Sequence, residues 1–449
     1  MVNRLRALAR VRLFGLAALA GALVPGAASA AGALTLADAI RAAWEQNPGV
    51  AASAAQVEAA RADAEAARDQ RLPALALQAR GVATDEPVGA FGLKLDQARI
   101  TQSDFAPSVL NSPGTIGGVG FGAAIVQPLY AGGRLTAGRR AAAASADAEA
   151  SAHERRREET ALAVVEAYFG AQVTEQALRF AEDQLQHAVE TERFTKLRNA
   201  QGLVLDADVA RATAFRAQAE AERATARQRL ASARSALVLL AGDGAADAQL
   251  TTPVEAPPAA AGPAGDVEAR PDVAAARLHS TAAQEGARAA LGSLLPEVFA
   301  QGGVDTMRST SNFDQGATWY SAALVARWQL TFPAYRTNRA AEARAAAARS
   351  ALEWLRRQAR REVDESRRGV ETADARVASA REAVSASEAA RTMREARHRQ
   401  GLLPLTDVLD AEAGLAGARA LLLRSALEAR VARAQLELAL GRPIEGVKS

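Results

Sequence analysis

The sequence contains no cysteine, which excludes disulfide frameworks, thiolate metal sites and cysteine nucleophiles together. Aromatic residues make up only 4% of it, too few to fill several compact cores. Its four histidines, His153, His187, His279 and His398, lack the spacing of a metal site. No apolar run of 18 or more residues occurs beyond the N-terminal stretch, so no α-helical membrane span is available there. No GxSxG, HExxH or comparable catalytic set is present. The glycine run Gly117-Gly118-Val119-Gly120-Phe121-Gly122 leads into a strand pattern and lacks the Lys-Ser/Thr of a phosphate loop. The chain is therefore read as no enzyme, with no cofactor and no metal.

Hydrophobic residues are nonetheless 49% of the 449, at a mean hydropathy of −0.08. Much of that apolar share is alanine, a weak core former and the strongest helix former. The sequence pI near 9.5 has a local source. Arg4, Arg6, Arg10 and Arg12 precede an apolar stretch from Leu13 to Val24 and the small-residue site Ala28-Ser29-Ala30. This is the layout of a secretory signal peptide over residues 1–30. Without it the balance is 50 Lys+Arg against 51 Asp+Glu, and no basic footprint for nucleic acid remains.

Four long stretches, at about 135–199, 204–241, 339–398 and 404–440, carry apolar residues at three- and four-residue steps. Shorter helices are expected at 36–70 and 268–292. The halves match one another. Asn47-Pro48-Gly49-Val50 corresponds to Arg270-Pro271-Asp272-Val273, and Leu72-Pro73 to Leu295-Pro296, both at an offset of 223. Gln201-Gly202-Leu203 corresponds to Gln400-Gly401-Leu402, and Asp208-Val209 to Asp407-Val408, both at 199. The chain divides into a first repeat over 31–250, a Pro/Ala linker over 251–266 and a second repeat over 267–449. Each long helix is expected to lie beside two shorter ones stacked end to end.

Two further segments, 73–130 and 296–335, hold 11 of the 19 aromatics. From Tyr320 to Leu330 one face reads Tyr, Ala, Leu, Ala, Trp, Leu and the other Ser, Ala, Val, Arg, Gln. That period-two pattern, about ten residues long with aromatics near its ends, suits a transmembrane β-strand. Strands are expected at about 73–83, 118–130, 296–304 and 320–332. Four strands cannot close a barrel, and open edges are not tolerated in lipid, so closure requires several chains.

Taken together, Leu34-Thr35-Leu36-Ala37-Asp38-Ala39-Ile40 to Asn47-Pro48, Gln127-Pro128-Leu129-Tyr130-Ala131-Gly132-Gly133-Arg134, Gly202-Leu203-Val204 to Asp208-Val209, Arg270-Pro271-Asp272-Val273 and Gly401-Leu402-Leu403 to Asp407-Val408-Leu409-Asp410-Ala411 resemble the TolC family of outer-membrane efflux and secretion proteins. The resemblance covers essentially the whole chain after the signal. It implies a mainly α homotrimer, with a long α-helical periplasmic barrel and four amphipathic strands per chain completing a twelve-stranded β-barrel. It implies an exit duct in the outer membrane of a Gram-negative bacterium, serving tripartite efflux or type I secretion. The implied partners are outer-membrane lipid, a periplasmic adaptor and an inner-membrane pump. Gly202, Leu203, Val204, Gly401, Leu402 and Leu403 would form the adaptor-contacting tips. Asp407 and Asp410 would line the channel aperture, with Asp208 their repeat-one equivalent. The competing reading of Asp407 is a helix N-cap after Pro404.

The sequence departs from the family at Gln329-Leu330-Thr331-Phe332-Pro333, which stands where repeat one has a proline and paired glycines. His398 and Leu403 stand where the best-known members carry the Tyr and Arg that lock the closed tip. The 84–117 stretch reads as the larger extracellular loop. The alternative classes are a periplasmic adaptor and a coiled-coil structural protein of the envelope. An adaptor would carry one hairpin between β halves, and the Tyr320–Leu330 strand argues against a coiled coil.

Overall fold

A computed structural model describes residues 32–255, 266–444 and 447. The expected signal peptide and residues 256–265 of the expected linker lie outside them. Two helices dominate: α5 (Arg134–Ala200, 67 residues) and α8 (Phe332–Arg399, 68 residues). Each is about 100 Å long at about 1.5 Å per residue. Along α5 lie α1 (Leu36–Gln46) and α2 (Pro48–Asp69) toward one end and α6 (Asp206–Ala241) toward the other. Along α8 lie α7 (Pro271–Gly292) and α9 (Leu405–Ala439). Neither α2 and α6 nor α7 and α9 pack on one another, so the short helices are stacked end to end.

The expected helix over 36–70 is two helices. Asn47 caps the second, its Oδ1 accepting from the Gly49 amide at 2.8 Å, and Pro48 takes the first helical position. Proline there has no amide to leave unsatisfied. The helix expected from 268 begins at Pro271, after a 3₁₀ turn at Val267–Ala269.

The strands β2 (Ala74–Thr84), β3 (Ile116–Ala131), β5 (Glu297–Ser309) and β6 (Gly316–Arg327) form one antiparallel sheet in the order β2-β3-β5-β6. The register joins Gln78, Gly122 and Asp305 in one row, and Arg80, Gly120 and Met307 in the next on the same face. Gln301, Ser321 and Glu297 share that polar face. The opposite face carries Leu75, Leu77, Phe121, Ile125, Val304, Tyr320 and Leu324, each at least 46% exposed.

Several boundaries in repeat two differ from expectation, β6 beginning at Gly316 rather than at 320. The strand β5 extends to Ser309, and β6 stops at Arg327 although the alternation runs on to Leu330. Arg327 pairs with Glu297, the first residue of β5, so no partner backbone exists beyond it. Trp328 instead turns its indole N–H to the Leu294 carbonyl at 3.0 Å. The helix expected from 339 starts at Phe332, capped by Thr331 with Pro333 in its first turn. In repeat one the strand-to-helix turn uses Gly132 and Gly133 at φ +58° and +79°. A Cβ on Gly132 would lie 2.3 Å from the Gly292 carbonyl oxygen, so only glycine allows this approach.

The main core lies midway along the helices, where Leu36, Ile40, Val164, Val165, Tyr168, Phe169 and Leu237 are essentially fully buried. A short parallel pair, β1 (Ala33–Leu34) with β4 (Gln249–Leu250), was not apparent in the sequence. Tyr168 joins its flanks, donating to the Leu34 carbonyl at 2.7 Å and accepting from the Thr252 amide at 3.0 Å. The start of the expected linker is thus structural: Val254 is in the core, and the Arg430 guanidinium lies 4.6 Å from the Phe169 ring and donates to the Val254 carbonyl.

A second polar knot ties repeat two. Arg270, 1% exposed, donates to Asp272, to Glu362 on α8 and to the Ala439 carbonyl on α9. Beside it Glu158 has a buried Oε2 without a hydrogen bond, 3.5 Å from Arg155. Burial pushes the Glu158 carboxyl up to about 7, with Asp272 adding to the rise and Arg155 and Arg270 opposing it.

Candidate functional site at the helical tips

Both long helices end in the same backbone device. Gln201 and Gln400 are the C-caps, followed by Gly202 and Gly401 at φ +72° and +77°. The Gly202 amide donates to the Asn199 carbonyl at 2.8 Å, and the Leu203 amide to the Arg198 carbonyl at 2.9 Å. In repeat two Gly401 donates to the His398 carbonyl at 2.9 Å and Leu402 to that of Arg397 at 3.0 Å. These paired 5→2 and 6→1 bonds are a Schellman motif, which satisfies the orphan carbonyls of a helix end and needs a left-handed residue.

A side chain then closes each turn. Asn199 Nδ2 donates to the Val204 carbonyl and to Asp206 Oδ1, both at 3.0 Å. Its counterpart 199 residues on, His398, places Nδ1 2.8 Å from the Leu403 carbonyl oxygen. A carbonyl only accepts, so Nδ1 carries the proton. The His398 ring also meets Phe194 of the other hairpin edge to face, with centroids 6.5 Å apart. In the sequence His398 stood out as a histidine without metal-site spacing and as a departure from the family. Its alignment with Asn199 at the constant offset was the signal for its capping role. Leu203 and Leu402 are 60% and 68% exposed, and Val204 and Leu403 are half-buried. All six residues read as tips therefore sit at one end, with the two turns adjacent.

The aspartates lie just inside. Asp208 and Asp407 are each the third residue of their helix, half-buried, and Asp410 is exposed one turn further on. Pro404, not Asp407, is the N-cap of α9. Negative charge in a first helical turn is stabilised by the helix dipole. Asp208 stands 3.8 Å from Arg211, the residue that aligns with Asp410. Neither Asp407 nor Asp410 has an ion pair among the described residues. At the next rung inward the charge at the aligned positions 192 and 391 reverses between the repeats. Glu192 accepts from Thr213 at 2.7 Å and meets Arg216 at 2.9 Å. The aligned pair in repeat two is Arg391 donating to Glu412 at 2.7 Å. Above it a cleft of about 350 Å³ opens between the hairpins, lined by Phe180, His187, Arg229, Arg391, Glu412 and Arg419.

Among the described residues there is no group of metal-ligating side chains, and no helix long and apolar enough to cross a membrane. The sequence matches the outer membrane efflux protein family over residues 39–243 and 267–442. No curated protein matches it significantly. Its fold is similar to that of a membrane protein from Pseudomonas aeruginosa, at 22% identity, 92% coverage of both chains and a TM-score of 0.79. It is also similar to the outer membrane protein VceC from Vibrio cholerae, at 21% identity, covering 91% of this chain and 96% of that one, TM-score 0.75. A further likeness is to the open state of the Neisseria gonorrhoeae MtrE outer membrane channel, at 22% identity, covering 92% and 91%, TM-score 0.73. The chain belongs to the outer membrane efflux protein family. It is an outer-membrane efflux channel whose helices extend into the periplasm.

Proposed function

We propose that the chain acts as a homotrimeric, passive exit duct, without catalysis, in a tripartite efflux or type I secretion system. The observation that carries this reading is the two-faced sheet. Its apolar face leaves Leu75, Leu77, Tyr320 and Leu324 at least 65% exposed, as a lipid-facing surface requires. Its edge strands β2 and β6 each have an unpaired side. In lipid such edges must pair, and three copies would supply twelve strands and remove every edge.

The two repeats then contribute equivalent hairpins to a helical tunnel. Residues Gly202, Leu203, Val204, Gly401, Leu402 and Leu403 contact a periplasmic adaptor bound to an inner-membrane pump. The exposed leucines of rigid, capped turns suit such docking. Asp407 and Asp410 line the periplasmic aperture as rings of carboxylate, with Asp208 beside them. Such rings favour cations in a narrow, partly desolvated pore.

Membrane extraction and planar-bilayer recording test the reading. The protein should resist high salt, require detergent, run as a trimer and conduct ions. Release by salt alone, or a detergent-stable monomer without conductance, would overturn it.

A further inference from the structure

The stretch between β2 and β3 is not an open loop. It folds as α3 (Pro87–Asp96), a 3₁₀ turn at Gln102–Phe105 and α4 (Pro107–Asn111). Lys94 holds Asp104 at 2.7 Å, and Asp104 in turn accepts from the Thr101 amide and hydroxyl at 2.7 and 2.8 Å. Phe91 and Phe105 pack edge to face. Gln97 is fully buried.

The face on which this insert docks is decided by the register. A Cβ on Gly118 would lie 2.7 Å from Gln97 Nε2, 3.1 Å from Leu93 Cδ1 and 2.9 Å from Met307 Sδ. Gly118 shares its face with Gly120, Gly122, Gln78, Arg80 and Asp305, the polar side. Gln97 Nε2 also donates to the Gly117 carbonyl at 2.9 Å, and Arg99 bridges Gln97 Oε1 and Ser309 Oγ at 3.0 and 2.7 Å. Met307 is 1% exposed beneath it. Gly118 leaves the space in which Gln97 and Leu93 lie, whereas Gly120 and Gly122 make room for Met307 and Arg80 and for Asp305 and Gln78 of the sheet itself.

We propose that residues 87–111 form a constriction inside the outer mouth of the barrel and set an upper size limit on what leaves it. This rests on the duct reading, in which the polar sheet face is the lumen. A helix with its side chains is about 10 Å thick, and three copies would each take that depth from the bore. Val88, Leu95 and Phe105, at 79%, 59% and 57% exposed, stand on the water side of the sheet. In the trimer of the duct reading these groups would face their equivalents on the other two subunits across the bore. The mouth thereby becomes an apolar neck, in contrast to the carboxylates at the periplasmic end.

The absence of native cysteine makes the test direct. Ser321→Cys places a thiol on the polar face, aligned with Gly303, about 13 Å further from the mouth than Met307 at about 3.3 Å per residue. Leu77→Cys places one on the apolar face. Intact cells are treated with a small charged maleimide and with a maleimide on a long polyethylene glycol chain. Ser321→Cys should take the small reagent only, and Leu77→Cys neither. Replacing 87–111 by a short Gly-Ser linker should admit the large reagent to Ser321→Cys, turning no labelling into labelling of most chains. Where that deletion fails to assemble, Leu93→Ala with Gln97→Ala undocks the insert and should shift labelling in the same direction. Small-reagent labelling with an unchanged size limit would overturn the constriction while leaving the duct standing. Labelling of Leu77→Cys, with Ser321→Cys refractory to both reagents, would instead overturn the lumen assignment.

Discussion

At the tip of repeat one, the buried Glu192 accepts from Thr213 and is paired with Arg216; 199 residues on, Arg391 donates to Glu412 at the same rung. One turn closer to the tip, Asp208 faces Arg211 while its counterpart Asp407 is followed by Asp410. The backbone around these reversals is the same in both repeats, down to the two capping bonds and the left-handed glycine. Turn geometry held by main-chain bonds does not depend on the charge of neighbouring side chains. The hairpins have therefore kept one shape while their electrostatics diverged: at the aligned positions, repeat one carries an Asp208–Arg211 pair where repeat two carries two aspartates.

The sharpest way to break that comparison is to give repeat two the wrong polarity. Arg391→Glu sets a carboxylate against Glu412, whose side chain is 11% exposed, and should cost about 3 kcal/mol. Adding Glu412→Arg restores an opposite-charge pair, with a carboxylate at 391 as at the aligned Glu192, and should recover most of it, read as thermal stability of the detergent-solubilised protein. Failure of the double variant to recover would mean that the rung is not interchangeable between the repeats.

The shared backbone predicts a smaller and equal pair of effects. Gly202→Ala and Gly401→Ala each force an L side chain into the left-handed region, at about 1–2 kcal/mol. That is about a tenfold loss of hydrogen-exchange protection in the amides of either tip. Markedly unequal losses would show that one turn has a prop the other lacks, His398 against Phe194 being the first to examine.

A pH-dependent effect lies away from the tips. Glu158, pushed from its ordinary 4.5 to about 7, binds its proton more tightly folded than unfolded. Stability therefore declines as pH rises from 4.5 to about 7 and stays reduced above it. Glu158→Gln should flatten that decline, raising the melting temperature slightly at pH 8 and leaving it unchanged near pH 4.5. A variant less stable at pH 8 would mean the carboxylate is used in its charged form.

How much of this was legible in the sequence follows from the range of each interaction. Period-two alternation marked the strand from Tyr320 and more weakly that from Leu75, because each face of the sheet selects its own residues. The strands at 118–130 and 296–304 stood out by aromatics and glycine. The alternation ran past Arg327 because the side-chain pattern continues where the partner strand does not. The split at Asn47-Pro48 and the early start of α8 at Thr331-Phe332-Pro333 were local capping signals that periodicity overrode. The tips were legible through duplication, Gly202 and Gly401 standing at one constant offset. The knot around Arg270 was not, since its partners lie 92 and 169 residues away and no pattern links them. Nor was the folded insert over 87–111, whose helices of ten and five residues are too short for a period to emerge.

The most direct measurement is the reversal potential of single channels across a potassium chloride gradient. The native channel should be cation-selective, Asp407→Ala with Asp410→Ala should move the reversal potential most of the way to zero, and Asp208→Ala should move it less. Selectivity unchanged by the double substitution, or lost equally with Asp208→Ala, would contradict an aperture set by the carboxylates of repeat two.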